Sequence, residues 1–328
     1  MYRGRFAPSP TGALHLGSAA AAILCAAAAR AAGGELILRM EDLDRDRVVP
    51  GMAEAILDDL RWLGLRWCEG PDVGGPRGPY TQSERIGLYE EALATLEAGG
   101  HLFLCDCSRA EIARAASAPH AGEEGPRYPG TCRAFGMQQR AFRRPPAVRL
   151  AIPDDERARV ELDDRVLGRV IEDVARTTGD FVLRRGDGVI AYQLAVVVDD
   201  LAMGVSEVVR GADLASSAPR QILLARLLGG APPSFAHVPL LLGEGGERLS
   251  KRARDVPLAD HRARGTQPAA LIRAIAAAYG VGIEIAGSAR AQDAIDAVAD
   301  AVDWPRLRER SVTTTAIFKQ LGGGSRTD

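Results

Sequence analysis

The sequence predicts an α/β fold built on a parallel sheet. Three features of residues 1–100 carry that expectation: a strand-like start, "YRGRFAP"; an alanine-rich helix ending on a glycine pair; and an alternating segment, "ELILRMEDLD", directly after it. A strand, a helix and a second strand in that order make a parallel pair joined by a right-handed crossover. The chain of 328 residues, 46% apolar and 26% charged, suffices for a real core in one large or two ordinary domains. No apolar run approaches the ~18 residues of a membrane span, so no membrane association is expected.

Each element has a local reason. The first helix, over 18–32, is stopped by Gly33 and Gly34. Its block 19–29 follows Arg3 and Arg5, which is the order of a secretory leader. Alanine, however, favours helix and anchors poorly in a membrane, and a strand follows, so the block reads as part of the fold. Leu36, Leu38 and Met40 alternate as a second strand. Pro50 opens "GMAEAILDDLRWLG", with Met52, Ile56, Leu60 and Leu63 at helical spacing. "SERIGLYEEALATLEAGG" is a further amphipathic helix with a glycine stop. "PAALIRAIAAAYG" and "AQDAIDAVADAVDW" read as two helices ahead of a loose tail, "GGGSRTD".

Charge is silent about partners: a net charge of −2 neither advertises nor excludes a polyanion, because a local basic patch suffices. The chain holds 39 arginines but two lysines, Lys251 and Lys319. Lysine kept against such a bias points to a need for a compact ammonium, and Lys251 lies in "ERLSKRARD". Five cysteines without a repeating framework fit a reducing cytoplasm. Three of them, Cys105, Cys107 and Cys132, cluster as C-x-C plus a third thiol after 24 intervening residues, which suits zinc better than disulfides. On spacing alone the fourth ligand stays open, with His120 the usual choice.

The loop "APSPTGALHLGS" lies between the first strand and its helix. In parallel sheets ligands bind beyond the carboxyl ends of the strands, and a helix N-terminus favours phosphate. Gly12 and Gly17 allow close backbone approach, and His15 can donate a ring N–H to a phosphate oxygen. The loop is neither a Walker loop nor a G-x-G-x-x-G fingerprint. As P-S-P-T-G-x-L-H-x-G it is nonetheless long and specific.

Together these motifs resemble the glutamate-specific branch of the class I aminoacyl-tRNA synthetases. "RFAPSPTGALHLGS" resembles the HIGH region, with Ser18 in place of its last histidine, and "RLSKR" at 248–252 resembles the KMSKS loop. "RMEDLDRDR", "YTQSER", "YQLAVVVDD" and "VVRGADLASSAPRQILL" extend the likeness over most of 3–255. The resemblance implies a Rossmann-like parallel catalytic sheet in two halves, 1–100 and 186–245. Between them it implies an inserted, zinc-containing, acceptor-binding-like domain at 101–185. A short helical C-terminal region at 246–328 would begin with the KMSKS-like loop.

The resemblance also implies substrates and roles. ATP, with Mg²⁺, and L-glutamate would react by attack of the α-carboxylate on the α-phosphate, expelling pyrophosphate with no protein nucleophile. His15, Gly17 and Ser18 would hold ATP, Lys251 would reach the leaving pyrophosphate, and His15 and Lys251 would be the catalytic pair. Arg5 and Arg210 would pair with carboxylates, Glu41 with the α-amino group and Tyr192 with a polar end of the amino acid. Phe6, Ala7, Pro8 and Ser9 would complete the loop around it. Tyr128, four residues before Cys132, would be the fourth zinc ligand.

Only 77 residues follow Lys251, too few for the anticodon-binding domain of longer relatives. That matches a shortened branch whose members transfer activated glutamate to queuosine in the anticodon loop of tRNA(Asp). A monomeric cytoplasmic enzyme is the expectation. The alternatives are a minimal synthetase charging a tRNA 3′ end, a non-catalytic glutamate- and ATP-binding paralogue, and a nucleotidyltransferase with an H-x-G-H-type loop. The last would not need Arg5, Glu41, Tyr192 and Arg210 together.

Overall fold

The computed structural model describes residues 1–115, 127–243, 256–308, 310 and 312–321; Lys251 with the rest of 248–252, His120 and the tail 322–328 lie outside them. The amino-terminal elements are β1 (Arg3–Phe6), α1 (Leu16–Ala31), β2 (Glu35–Leu38), α2 (Met52–Trp62) and α3 (Ile86–Ala98). Next come β3 (Leu102–Cys105), α4 (Arg109–Ala115), β4 (Ala147–Leu150), β5 (Arg159–Asp164), β6 (Gly168–Asp173), α5 (Val174–Thr177) and β7 (Phe181–Arg184). A second α/β stretch holds α6 (Tyr192–Ala202), β8 (Glu207–Gly211), α7 (Ala218–Leu227), β9 (Ser234–Val238) and β10 (Leu241–Leu242). The remainder is helical apart from one short strand: α8 (Leu258–Ala263), α9 (Pro268–Ala278), α10 (Ala291–Ala301), α11 (Trp304–Leu307), β11 (Val312–Thr313) and α12 (Thr314–Gln320).

The predicted parallel pair is present, with β1 beside β2 from Arg3 opposite Glu35 to Phe6 opposite Leu38. A second parallel pair, β8 and β9, runs from Glu207 opposite Ser234 to Gly211 opposite Val238. The Ser206 backbone N–H donates to the Arg3 carbonyl at 2.8 Å and sets β8 beside β1. Between the two parallel pairs the chain turns antiparallel, in the sheet β3–β4–β7 and the hairpin β5–β6.

The alanine run earns its place by packing. α1 lies against β1 and β8 on one side and α9 and α10 on another, and eleven of its sixteen residues are buried. Small side chains let a helix approach neighbours on several sides at once, which is why α1 is apolar almost all round. The helix begins at Leu16, two residues before the predicted start, because His15 takes the cap position. Its Nδ1 accepts from the Ser18 backbone N–H at 3.3 Å. No helix among the described residues is long and apolar enough to cross a membrane.

α6 is tied to the amino-terminal half by buried charge. Asp199, fully buried, accepts from Arg85 Nε at 2.6 Å, Gln82 Nε2 at 2.8 Å and the Tyr89 hydroxyl at 3.0 Å. Arg39, also fully buried, reaches Asp200 at 2.7 Å, Glu41 at 3.1 Å and Asp199 at 3.5 Å. Burial alone would lower the Arg39 pKa, but Asp200, Asp199 and Glu41 outweigh it and hold the guanidinium above its ordinary value. Removing one member of such a cluster strands the others. Asp199→Ala is therefore expected to destabilise the fold by about 3–5 kcal/mol in urea denaturation. A loss below about 1 kcal/mol, the worth of an ordinary surface pair, would contradict this account.

Candidate active site

Backbone pairing continues past the ends of β1 and β2 into the loop after Phe6. The Arg39 N–H donates to the Phe6 carbonyl at 3.0 Å, and the Glu41 N–H to the Pro8 carbonyl at 2.9 Å. Glu41 is thereby held beside the loop that follows Arg5. Tyr192, the first residue of α6, meets Arg210, near the carboxyl end of β8, through a bond from Arg210 Nη1 to the Tyr192 hydroxyl at 3.4 Å. The fields of Arg5, Glu41, Tyr192 and Arg210 act on one another, so these four predicted residues share one neighbourhood.

Their charges are unevenly satisfied. Asp200 is taken mainly by Arg39, leaving Arg5 a long contact from Nε at 3.4 Å to each Asp200 oxygen. The outer nitrogens of Arg5, Nη1 and Nη2, have no hydrogen-bond partner among the described residues. Arg210 is 6% exposed and binds only neutral groups. Its Nε donates to His237 Nε2 at 3.0 Å, Nη1 to the Tyr192 hydroxyl at 3.4 Å and Nη2 to the Leu214 carbonyl at 3.1 Å. No carboxylate lies within ion-pair distance of Arg210 among the described residues. Burial pushes the Arg210 pKa below its ordinary value, and the like charge of Arg5 adds to the effect. Burial raises the Glu41 pKa, against the pull of Arg39 and Arg5. The site thus holds two cations short of anions beside one carboxylate.

The loop residues divide by role. The Phe6 side chain packs in the core, and Pro8 is buried with its carbonyl accepting from the Glu41 N–H. Ala7 is half-buried and Ser9 exposed. At the start of α1, Ser18 Oγ lies 3.3 Å from His15 Nε2. A Cβ on Gly17 would stand 3.1 Å from the His15 ring, so this glycine makes room for the imidazole over the helix N-terminus. The Leu258 N–H donates to the Leu14 carbonyl at 2.9 Å, bringing the chain just beyond the 248–252 motif back to this loop.

The three clustered thiols do meet. Cys105, Cys107 and Cys132 have their sulfurs within 4.8 Å of one another. The Tyr128 hydroxyl joins them, 3.4 Å from Cys105 Sγ and 4.0 Å from Cys107 Sγ, and accepts from the Cys132 N–H at 2.8 Å. Burial and neighbouring sulfur push the Cys107 thiol up to about 12, and burial with Cys105 and Cys132 raises Tyr128. Three thiols and a phenol this close would repel one another once deprotonated, and a divalent cation would reverse that balance. Three sulfurs and one oxygen are a plausible tetrahedral donor set for zinc. Glu35, Cys68 and Glu69 also converge, but Arg3 pairs with both carboxylates and Arg77 reaches Glu69 at 3.6 Å, so their charge is matched without a metal.

Sequence reasoning missed the buried residues that hold the predicted ones in place: Arg39, Asp199, Asp200, Asp164 and His237. The acidic pair closing the apolar run "AVVVDD" was a usable signal, because carboxylates ending a buried helix demand buried cations. Nothing local marked His237 or Asp164.

The chain resembles known proteins in sequence and in fold. The family model for the catalytic domain of tRNA synthetases class I (E and Q) matches residues 1–300. The chain is 54% identical over 277 residues to the glutamyl-Q tRNA(Asp) synthetase of Symbiobacterium thermophilum, covering 83% of this chain and 84% of that one. It is 52% identical over 276 residues to that of Nitratidesulfovibrio vulgaris, with the same two coverages. A crystal structure of a glutamate tRNA ligase from Elizabethkingia meningosepticum, in complex with its amino acid, superposes with a TM-score of 0.78 at 27% identity, over 97% of this chain and 68% of that one. The chain belongs to the class I tRNA synthetases of the E and Q type and, within them, to the glutamyl-Q tRNA(Asp) synthetases.

Gly17→Ala tests the helix start. Elsewhere in a helix this change stabilises by about 0.5–1 kcal/mol. Here the methyl group would stand 3.1 Å from the His15 ring, which must shift by a few tenths of an ångström and strain its cap on Ser18, so a net loss of about 1 kcal/mol is expected in thermal denaturation. A stabilised variant would contradict this reading.

Proposed function

We propose that this chain activates L-glutamate with ATP and transfers the glutamyl group to queuosine in the anticodon loop of tRNA(Asp). The observation that carries the amino-acid reading is the pair of buried cations, Arg5 and Arg210, lacking full anionic partners beside the carboxylate of Glu41. Glutamate is the complementary charge pattern: two carboxylates and one ammonium. Identity of 52–54%, with more than four-fifths of each chain matched, to enzymes named for queuosine-bearing tRNA(Asp) supports the acceptor.

Arg5 and Arg210 hold the carboxylates, Glu41 holds the α-ammonium, and the Tyr192 hydroxyl takes a polar end of the substrate. Phe6, Ala7, Pro8 and Ser9 contribute mainly backbone around it. ATP, bound with Mg²⁺ as the nucleotide substrate, presents its phosphates to the α1 N-terminus. There His15, Gly17 and Ser18 meet them and Lys251 neutralises the departing pyrophosphate. The glutamate α-carboxylate oxygen bonds to the α-phosphorus as the bond to pyrophosphate breaks, giving glutamyl-adenylate. A hydroxyl of queuosine then displaces AMP. The chain's own work is positioning and charge stabilisation, with no covalent enzyme intermediate.

Zinc held by Cys105, Cys107, Tyr128 and Cys132 is structural, closing the module that contains β3 and β4 at residues 101–185. On this reading the chain works as a monomer in the cytoplasm, where ATP and tRNA are found.

Purified protein is expected to catalyse ATP–pyrophosphate exchange strictly dependent on glutamate. Labelled glutamate should then appear on the queuosine nucleoside of tRNA(Asp) and not on tRNA lacking queuosine. Label on the terminal adenosine would instead make the chain a minimal charging enzyme. About one zinc per chain is expected by elemental analysis, lost in Cys107→Ser with a lowered Tm. A metal-free wild-type protein of unchanged stability would overturn the zinc assignment.

A further inference from the structure

One buried pair behind the pocket has no role in the chemistry above. His237 lies directly opposite Arg210 across the parallel β8–β9 ladder, and its side chain is 1% exposed. Its Nε2 accepts from Arg210 Nε at 3.0 Å, while its Nδ1 lies 2.6 Å from Asp164 Oδ2. Asp164 ends β5, a strand of the antiparallel hairpin. Phe235 backs the arrangement: its ring stacks on His237 at 5.6 Å and lies under the Arg210 guanidinium at 5.2 Å.

The donor inventory fixes the tautomer. Arginine Nε is always a donor, so His237 Nε2 must be the acceptor and the single ring proton must sit on Nδ1, pointing at Asp164. Asp164 enforces this. Its Oδ1 accepts three backbone N–H groups, from Val166 at 2.9 Å, Leu167 at 2.8 Å and His237 at 3.2 Å. Oδ2 is thereby turned to the ring. A neutral acceptor is what a buried arginine with no carboxylate partner can use, because it orients the guanidinium without neutralising it.

We propose that Asp164 and His237 are positioning residues for glutamate activation: Asp164 holds His237 as the Nδ1–H tautomer, and His237 holds Arg210 aimed at a substrate carboxylate while leaving its charge free. The relay rests on the pocket reading given above for Arg210. It also couples the antiparallel hairpin to the amino-acid site, because β5 supplies the carboxylate that sets the guanidinium.

Asp164→Asn separates this role from bulk stability. Three backbone N–H groups keep the amide oxygen at the Oδ1 position, so the amide NH₂ faces Nδ1 and drives the ring proton to Nε2, against Arg210. The KM for glutamate in ATP–pyrophosphate exchange is expected to rise about tenfold, with KM for ATP within about twofold. ¹⁵N NMR of the His237 ring is expected to show the proton move from Nδ1 to Nε2. His237→Gln, whose amide can accept from Arg210 and donate to Asp164, is expected to stay within about threefold in KM for glutamate, whereas His237→Leu rises about tenfold.

Arg210→Ala is the control. If it raises KM for glutamate while Asp164→Asn and His237→Leu do not, the relay is overturned and the pocket reading survives. Equal losses in His237→Gln and His237→Leu, with both KM values moving together, would likewise reduce the pair to a structural one. If Arg210→Ala leaves KM for glutamate unchanged, the pocket reading falls and takes the relay's role with it, while the NMR result still reports the tautomer.

Discussion

The structure depends on one buried charge cluster, in which Asp199 and Asp200 at the end of α6 meet Arg39, Arg85 and Arg5 from the amino-terminal half. It does two things at once. It fastens α6, and with it Tyr192 at the other end of the same helix, to the carboxyl ends of β1 and β2. It also occupies Asp200 with Arg39, which leaves the outer nitrogens of Arg5 without a hydrogen-bond partner among the described residues. Apolar side chains of similar volume could supply comparable stability. They could not supply a cation that is fixed in place and still short of an anion.

The same design appears at Arg210. Arg210 is anchored by a neutral imidazole, a phenol and a carbonyl, three groups that orient it and leave its charge unmatched. Burying such a cation is costly, and the lowered Arg210 pKa records that cost. On the reading proposed above, a bound dicarboxylate would recover it, and selectivity for an acidic amino acid would follow: a neutral side chain would leave a buried guanidinium unpaired, a far larger loss than a missing apolar contact.

Much of this was legible in the sequence, for physical reasons that differ by element. The first strand, helix and second strand were readable because periodicity and glycine stops are local signals. The start of α1 was misjudged by two residues because the cap was a histidine, a residue whose capping depends on its ring meeting the Ser18 N–H. The thiol cluster and Tyr128 were readable as motif and resemblance, and the structure brings all four donors together. Phe6 was placed against the ligand, yet its side chain belongs to the core, because β1 is buried along its whole length. Asp164 and His237 could not be paired in advance: they lie 73 residues apart and meet only because β9 passes the end of β5.

The most direct test of the central claim is a crystal structure of the protein with a non-hydrolysable glutamyl-adenylate analogue. The account requires the two carboxyl-derived ends of the glutamyl group at Arg5 and Arg210, its ammonium at Glu41, and the phosphate at the α1 N-terminus beside His15, with Asp200 still bound to Arg39. An analogue seated elsewhere, or one that draws Asp200 away from Arg39, would contradict it.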